Sequence, residues 1–294
     1  RTGPLWSTAR VGLCKPPLTF ALVEPAVTHP HSVTLIFASQ RSGSRLLCDD
    51  VASLGGLGHP REQFNYILPW QDTRGEEDVF EAIASGATRR NPGVGSVKVM
   101  VSQVRPINRY LTGQTAVPEP QAMQNIIEWS KTRFEHVMVL VIVRESQLDQ
   151  AISRIVARTT QIYHSSKGSH RAKDLLNIMQ SVDANFRWKI LHEVCLIKSE
   201  TDMLRTLAQE NPDLALLVRY EDLTASVEHT SERLVDHARS LGFSPEHEVA
   251  TRKLSKMIDR AQITAIKQDF VAFLNDQIGE WVPNEISPMR AQSV

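Results

Sequence analysis

Hydroxyl, guanidinium and glycine groups stand side by side in this sequence, directly after an apolar run. The run covers residues 33–37, and an apolar-periodic helix pattern begins near Leu46. A strand that turns straight into a helix directs free backbone N–H groups and the positive helix end toward one place. The residues between the two elements, which we call the anion turn, are therefore predicted to cradle a tetrahedral anion. They are Ser39, Gln40, Arg41, Ser42, Gly43 and Ser44.

A second pair of basic and hydroxyl residues follows another apolar run, residues 136–143. Arg144 ends that run, and Ser146 with Asp149 has the spacing of a capping box that starts a helix at Ser146. Ser153 then lies about two turns later on the same helix face. Arg144 and Ser153 are therefore predicted to hold one phosphate, at the sheet edge where ligands of doubly wound folds bind.

The residue types at the strand ends argue against magnesium-dependent phosphate transfer. An enzyme of the kinase type uses a carboxylate to hold magnesium, whereas two of the predicted strands end in Arg144 and Arg219. A guanidinium holds no metal but binds a second anion, often bidentately. The anion turn also lacks the G-x-x-x-x-G-K-[ST] spacing of nucleotide triphosphatases. The sequence therefore predicts no metal site and a ligand with two separate anionic groups.

The elements that position these residues alternate between strands and helices. Four apolar runs are continuous, as in a parallel sheet that is covered on both faces. This pattern predicts an α/β fold with a P-loop-like, doubly wound, mainly parallel sheet flanked by helices. Residues 56–75 are predicted to form a long loop beside the anion turn. The apolar runs are 33–38, 96–101, 136–143 and 214–219, and the helical patterns are 45–54, 76–86, 119–131, 147–163, 171–209, 226–241 and 262–276.

The composition excludes several classes of partner. The chain has 294 residues, and its 33 basic and 33 acidic side chains cancel, so no overall field attracts nucleic acid. The three cysteines are too few and too scattered for a disulfide framework, which indicates a reducing, cytoplasmic compartment. No apolar stretch reaches the roughly 20 residues needed for a transmembrane segment. The Pro-rich residues 1–31 are predicted to be an N-terminal extension, with a targeting remnant as the alternative.

Five motifs occur in the order that is found in one enzyme family. They are SQRSGSRLLCDD, GHPREQFN, GSVKVM, VRESQLDQAIS and VRYEDL. Over residues 33–275 the chain resembles the trehalose 2-sulfotransferase and lipopolysaccharide sulfotransferase family. The resemblance implies one sulfotransferase domain over residues 32–294 and a homodimer. It also implies transfer of a sulfuryl group from 3′-phosphoadenosine 5′-phosphosulfate to a hydroxyl of a carbohydrate, glycolipid or related small metabolite.

The resemblance assigns roles to the two predicted anion sites. The anion turn, together with Arg45, would hold the 5′-phosphosulfate, and Arg144 with Ser153 would hold the 3′-phosphate. Arg45 stands where the family usually has a small residue, and it is expected either to add charge near the sulfate or to alter the mouth of the acceptor site. Arg260 and Lys267 lie in a late segment that closes over the 3′-phosphate in many sulfotransferases.

Glu62, in the motif GHPREQF, is the family's candidate for the general base that accepts the proton of the acceptor hydroxyl. Catalysis of this type contributes about 10²–10⁴-fold. Arg41 is expected to stabilise charge on the departing phosphate, since arginine does not readily give up its proton. His59 is a second candidate base or substrate contact. Lys98 interrupts an apolar run, and it either neutralises ligand charge or pairs with a buried acid such as Glu221.

Two other functions fit the same strand–turn–helix pattern. A P-loop-like small-molecule kinase would bind ATP with magnesium, whereas a non-catalytic protein would bind an adenosine phosphate without transferring a group. The missing G-K-[ST] residues and the lack of a carboxylate at the strand ends argue against the kinase. The turnover of a Glu62→Ala variant would separate the enzyme from the binding protein.

Overall fold

The fold is given by a computed structural model that describes residues 29–66, 75–88, 91–160, 184–252 and 260–278. Some of the sequence-based expectations concern residues outside these ranges. They are most of the Pro-rich extension, Cys14, residues 67–74 of the long loop, and the helix patterns over residues 161–183.

Four parallel strands form one sheet in the described part of the chain. They are β1 (Ser32–Ala38), β2 (Val94–Met100), β3 (His136–Val143) and β4 (Ala215–Arg219). Their order is β2-β1-β3-β4, so β1 lies in the interior of the sheet. Each strand coincides with one of the four predicted apolar runs. The predicted α/β fold with a parallel sheet is therefore confirmed.

Helices flank this sheet. Those of the described residues are α1 (Ser44–Leu54), α2 (Glu76–Ala84), α3 (Val104–Thr112), α4 (Glu119–Arg133), α5 (Gln147–Thr160), α6 (Ala184–Glu210), α7 (Tyr220–Ala225), α8 (Val227–Ser240) and α9 (Arg260–Ile278). Short 3-10 helices cover Gln63–Tyr66 and Val101–Gln103. The sequence patterns predict neither α3 nor α7. Pro106 in the first turn of α3 hides that helix although the position tolerates proline, and α7 is too short to show a helical period.

Side chains of the strands alternate between two apolar clusters, one on each face of the sheet. Leu35 and Phe37 of β1 pack in the cluster that includes α2, α3 and α4. Ile36 and Ala38 pack in the cluster that includes α1 and α8. All seven residues of β1 are buried. This burial on both faces explains why the strand sequences are continuously apolar.

A third apolar cluster joins three helices. Leu148 and Ile152 of α5 pack there against Phe186 and Ile190 of α6 and Phe270 of α9. Only a few residues separate β3 from α5, so α5 begins beside the carboxyl end of that strand. The packing of the third cluster fixes the helix in this place. Ligands of open parallel sheets bind at this edge, and the polar residues of α5 contact the anion turn there.

Candidate functional site

The anion turn has a backbone conformation that few residues tolerate. Arg41 has a φ of 65° and Gly43 a φ of 94°, both in the left-handed region. A Cβ atom at Gly43 would lie 2.3 Å from Cδ2 of Tyr220, so the backbone angle and the available space both require glycine. Ser42 closes the turn, because its backbone N–H and its hydroxyl donate to the carbonyl of Ser39, at 3.4 and 2.8 Å.

The anion turn leads directly into the N-terminus of α1. The helix begins at Ser44, and its first turn contains no acidic residue. The first N–H groups of a helix have no partner within the helix. Together with the partial positive charge of the helix end, these groups give the turn the electrostatics of an anion site although the turn itself contains no lysine.

Gln150 on α5 holds the anion turn from the other side. Its amide Nε2 donates to the hydroxyl of Ser39 and to the carbonyl of Gln40, both at 2.7 Å. Gln150 is fully buried. Sequence reasoning missed this residue, since a glutamine in an amphipathic helix gives no signal of a partner that lies so far away in the chain. The contact means that α5, and not only β1 and α1, determines the shape of the turn.

Arg154, one turn after Gln150, links the anion turn to α6. Its Nη2 donates to the carbonyl of Gln40 at 3.4 Å and pairs with Glu200 at 2.6 Å. Its Nη1 pairs with Glu193 at 3.4 Å, and Glu193 also contacts Arg158. Only 3% of Arg154 is exposed. A buried guanidinium needs such partners, so this network stabilises the position of α5 relative to α6.

The structure brings Arg144 and Ser153 to the anion turn, through Arg41. The Nε of Arg41 donates to the Ser153 hydroxyl at 2.9 Å, and Nη1 of Arg144 donates to the carbonyl of Arg41 at 3.5 Å. Arg144 also stacks over the ring of Tyr220, at 4.6 Å from the centroid. The two predicted anion sites are thus adjacent, and the ring that excludes a side chain at Gly43 supports the Arg144 guanidinium.

Asp149 lies between two basic groups at the same edge. Its carboxylate is 3.6 Å from Nη2 of Arg144 and 2.5 Å from Nζ of Lys267 on α9. Its backbone N–H donates to the Ser146 hydroxyl at 3.4 Å, in agreement with the predicted cap of α5. Lys267 therefore reaches the predicted 3′-phosphate region, whereas the side chain of Arg260 lies outside the described structure.

Lys98 and Glu62 form an ion pair next to the anion turn. Lys98 is 5% exposed, and its Nζ lies 2.5 Å from Oε1 of Glu62 and 3.5 Å from Oγ of Ser44. A buried ammonium group needs such an acid. The acid is not Glu221, as one interpretation of the sequence suggested. Glu221 instead accepts from the backbone N–H groups that follow β3.

The segment that carries Glu62 is fixed along the outer side of β2. The N–H of Lys98 donates to the carbonyl of Arg61 at 2.8 Å. The amide of Gln63 accepts from the N–H of Arg61 at 3.0 Å and donates to the carbonyl of Ser96 at 3.1 Å. Glu62, between Arg61 and Gln63, is therefore held by neighbours that are bonded to the sheet.

His59 and Arg45 are two further residues that the sequence placed at the site. Burial, and then the charge of Arg61, lower the pKa of His59 below its ordinary value of 6.5, so the imidazole is neutral at neutral pH. Arg45 is largely exposed and pairs with Asp49 one turn along α1, at 3.3 Å. Its predicted contact with the donor stays a prediction.

No cysteine serves as a nucleophile at this site in the described part of the chain. Cys48 lies on the buried face of α1, and burial raises the pKa of its thiol to about 12. Within the described ranges, no group of three or more His, Cys, Asp or Glu residues is arranged to hold a metal ion. The same ranges contain no helix that is both long and apolar enough to cross a membrane.

A turn with the conformation of an anion cradle, a second basic site beside it and a carboxylate nearby are the kinds of group that transfer of an anionic group requires. The model of the Stf0 sulphotransferase family matches residues 33–269. The chain belongs to this family. The matched range of the Stf0 sulphotransferase includes the anion turn, Glu62, Arg144 and Ser153, and the predicted membership of a sulfotransferase family is confirmed.

A solved structure is also similar to this Stf0 sulphotransferase. The crystal structure of a sulfotransferase from Alicyclobacillus acidocaldarius aligns with 90% of this chain and 100% of its own chain. The sequence identity is 15%, and the TM-score is 0.44. No curated protein matches the sequence.

Proposed function

We propose that this Stf0 sulphotransferase transfers the sulfuryl group of 3′-phosphoadenosine 5′-phosphosulfate to a hydroxyl of a carbohydrate, glycolipid or related small metabolite. One observation carries the proposal. The Lys98 ammonium contacts both the Glu62 carboxylate and the Ser44 hydroxyl, at 2.5 and 3.5 Å. A candidate base therefore lies beside the turn that suits the transferred group.

The donor would bind through both of its anionic ends. The N–H groups and hydroxyls of the anion turn suit the 5′-phosphosulfate, and Arg144 with Ser153 suits the 3′-phosphate. The Arg41–Ser153 hydrogen bond supports this pairing, because it puts both sites within the length of one side chain. The Nε of Arg144 is buried and donates to no described residue, so this guanidinium has a donor to spare for an anion.

The proposed step is an in-line displacement at sulfur. Glu62 takes the proton of the acceptor hydroxyl as the new O–S bond forms. The bond between sulfur and the bridging oxygen breaks, and its electron pair leaves with the 5′-phosphate of the nucleotide. Arg41 stabilises the negative charge that develops there, by electrostatics and not by giving up a proton. The product is a sulfate ester together with adenosine 3′,5′-bisphosphate.

The test is transfer from the labelled donor to a panel of sugars and glycolipids. The wild-type chain is expected to label at least one hydroxyl compound. Glu62→Gln keeps the shape of the side chain but cannot accept the proton, so turnover should fall by about 10²-fold or more. Affinity for adenosine 3′,5′-bisphosphate, measured by calorimetry, should change little in this variant.

Three outcomes would overturn the proposal. The first is that the wild-type chain neither binds the bisphosphate nor labels any hydroxyl. Binding without transfer to any acceptor would indicate the non-catalytic adenosine-phosphate protein. Phosphate transfer from ATP with magnesium, and none from the sulfuryl donor, would indicate the kinase. Unchanged turnover in Glu62→Gln would remove Glu62 as the base and leave the transfer itself intact.

A further inference from the structure

A chain of hydrogen bonds connects the Glu62 carboxylate to the end of β2. Asn65 donates from Nδ2 to Oε2 of Glu62 at 2.6 Å. Gln103 donates from Nε2 to Oδ1 of Asn65, also at 2.6 Å. The backbone N–H of Met100, the last residue of β2, donates to Oε1 of Gln103 at 3.0 Å. Gln103 lies outside the five motifs, and Asn65, the last residue of GHPREQFN, has no role assigned to it from the sequence.

The backbone fixes the direction of this chain of bonds. A backbone N–H can only donate, so the Gln103 amide must turn its oxygen toward Met100 and its NH₂ toward Asn65. Asn65 must then accept on its oxygen and turn its own NH₂ toward Glu62. Rotating either amide by half a turn would place two acceptors or two donors face to face. The donor that reaches Glu62 is therefore set by the end of a buried strand.

Glu62 receives a donor on each carboxylate oxygen, from two different elements. Lys98 of β2 contacts Oε1 at 2.5 Å, and Asn65 of the 3-10 helix contacts Oε2. Two donors on opposite oxygens fix the plane of the carboxylate and favour its ionised, proton-accepting form. A carboxylate can accept about four hydrogen bonds, so these two are compatible with a further bond from an acceptor hydroxyl.

The inner end of this series of hydrogen bonds is buried and its outer end is accessible, as a positioning role requires. Gln103 is 7% exposed, and Lys98 is 5% exposed. Asn65 and Glu62 lie at the surface end, where an acceptor has to approach. A rigid inner end and an accessible outer end hold a reacting group in place without blocking it.

We propose that Asn65 and Gln103 are positioning residues that orient the Glu62 carboxylate for the acceptor hydroxyl. This inference rests on the proposed role of Glu62 as the base. Loss of the Asn65 donor should misplace the carboxylate and make its ionised form less favourable. Turnover should therefore fall while the donor site, which Asn65 does not touch, keeps its affinity.

The experiment compares Asn65→Leu and Gln103→Met with wild type in the full chain. Asn65→Leu should lower kcat about tenfold, since small misplacements of reacting groups are costly, with unchanged affinity for adenosine 3′,5′-bisphosphate. The acid limb of the kcat/KM profile should move to higher pH, because a hydrogen bond to the charged form is lost. Gln103→Met leaves Asn65 without its orienting donor. This variant should also lower kcat and move the acid limb to higher pH, in both cases by less than Asn65→Leu.

Neighbouring titratable groups are left intact in these variants. Lys98 from β2 pairs with Glu62, and the charge of Glu62 acts on Cys48 of α1. Arg45 and Asp49 of α1 act on Cys48 and on His59, and Arg61 acts on His59. The matched control is Gln121→Met, which removes an exposed amide–amide hydrogen bond on α4. That variant should keep the wild-type kcat and pH profile.

A double-mutant cycle decides whether Asn65 acts through Glu62. In the Glu62→Gln background, Asn65→Leu should cause no further loss of kcat. An equal loss in both backgrounds, or an unchanged pH profile in Asn65→Leu, would overturn the inference. The titration of the Glu62 carboxyl group, followed by NMR, gives a readout that does not need activity. If the wild-type chain transferred nothing, the proposed function would fail, and an unshifted titration in Asn65→Leu would separately refute the inference.

Discussion

The Nε of Arg41 donates to the hydroxyl of Ser153, 112 residues later in the chain, at 2.9 Å. This bond joins the turn after β1 to the middle of α5. The sequence predicted one anion site at each end of it. Their adjacency favours a ligand whose two anionic groups are separated by only a few bonds, as in a nucleoside 3′,5′-bisphosphate, over one with anionic groups at two distant ends.

Replacing Arg41 by asparagine tests the guanidinium without straining the backbone. Asparagine tolerates the left-handed region better than most residues, so the φ of 65° can persist. We expect kcat to fall by about 10²–10³-fold, the range seen when one donor to a developing negative charge is removed. Initial rates with labelled donor check the loss, and thermal unfolding should show a nearly unchanged midpoint. Turnover equal to that of the wild type would contradict the role of Arg41.

Gly43→Ala should abolish donor binding, and Gly113→Ala is its matched control. Both glycines have a positive φ, of 94° and 73°, so each alanine carries a similar backbone cost of about 1–2 kcal/mol. A new Cβ at Gly43 would also press on Tyr220 at 2.3 Å, whereas no described atom lies within 4 Å of one at Gly113. Tyr220 supports Arg144, so a shift of its ring would disturb the second anion site. Calorimetry with adenosine 3′,5′-bisphosphate should detect the loss in Gly43→Ala alone, and equal affinities in the two variants would refute the argument.

Gln150→Leu should weaken bisphosphate binding about tenfold, because two hydrogen bonds to the anion turn, one buried and one partly buried, disappear. One of them goes to the Ser39 hydroxyl. The effect should therefore be smaller in a Ser39→Ala background, and a full cycle of four proteins measures the coupling. Circular dichroism establishes that each protein is folded. Strictly additive losses would mean that Gln150 does not act through Ser39.

Arg252→Met should destabilise the fold in a pH-dependent manner. Asp50 lies on the buried face of α1 and pairs with Arg252 at 2.7 Å. Burial raises the pKa of Asp50 above its ordinary value of 3.8, and Arg252 opposes that rise. Without Arg252 the carboxylate would be buried and unpaired at neutral pH, at a cost of about 3–5 kcal/mol.

The sign of the pH dependence follows from linkage. A carboxyl group whose pKa is higher in the folded than in the unfolded chain binds protons better when folded, so stability increases as pH falls through the folded pKa. The deficit of Arg252→Met should therefore shrink at mildly acidic pH, as urea denaturation can show. Adding Asp50→Asn should recover part of the stability at neutral pH. A deficit that is equal at both pH values would argue against this account.

His59→Gln should retain most of the turnover. Burial and the nearby Arg61 lower the pKa of His59, so its neutral ring could itself accept a proton. The expectation rests instead on Glu62, which is linked to the anion turn through Lys98. If Glu62 is the base, the acid limb of the rate profile should persist in His59→Gln and disappear in Glu62→Gln. The opposite pattern would make His59 the base.

The strands and the anion turn could be predicted because their signals are local. Continuous apolar runs identify parallel strands, and the carboxyl ends of such strands meet at one edge, which brought Arg144 and Ser153 to Arg41. The choice of Glu62 over Glu221 as the partner of Lys98 could not be predicted, because it depends on how a loop runs beside β2. The residues that support the site are harder still to find.

The sequence does not show what four polar residues bind, because only tertiary contacts reveal their partners. These residues are Gln150, Arg154, Asn65 and Gln103. α3 escaped prediction because Pro106 interrupts its pattern. The long-range cases share a cause, because Gln150, Arg154 and Gln103 each bind a residue outside the window over which a hydrophobic period can be read.

The segment that carries Glu62 also has a consequence for solubility. His59 and Arg61 hydrogen-bond to Gly86 and Lys98, and Gln63 to Ser96, so the segment covers the side of β2 that faces away from β1. An uncovered edge strand offers unpaired N–H and C=O groups to other chains and promotes aggregation. Shortening this segment to change the acceptor would therefore promote aggregation of the protein. Selection for catalysis and selection against aggregation would act on the same few residues.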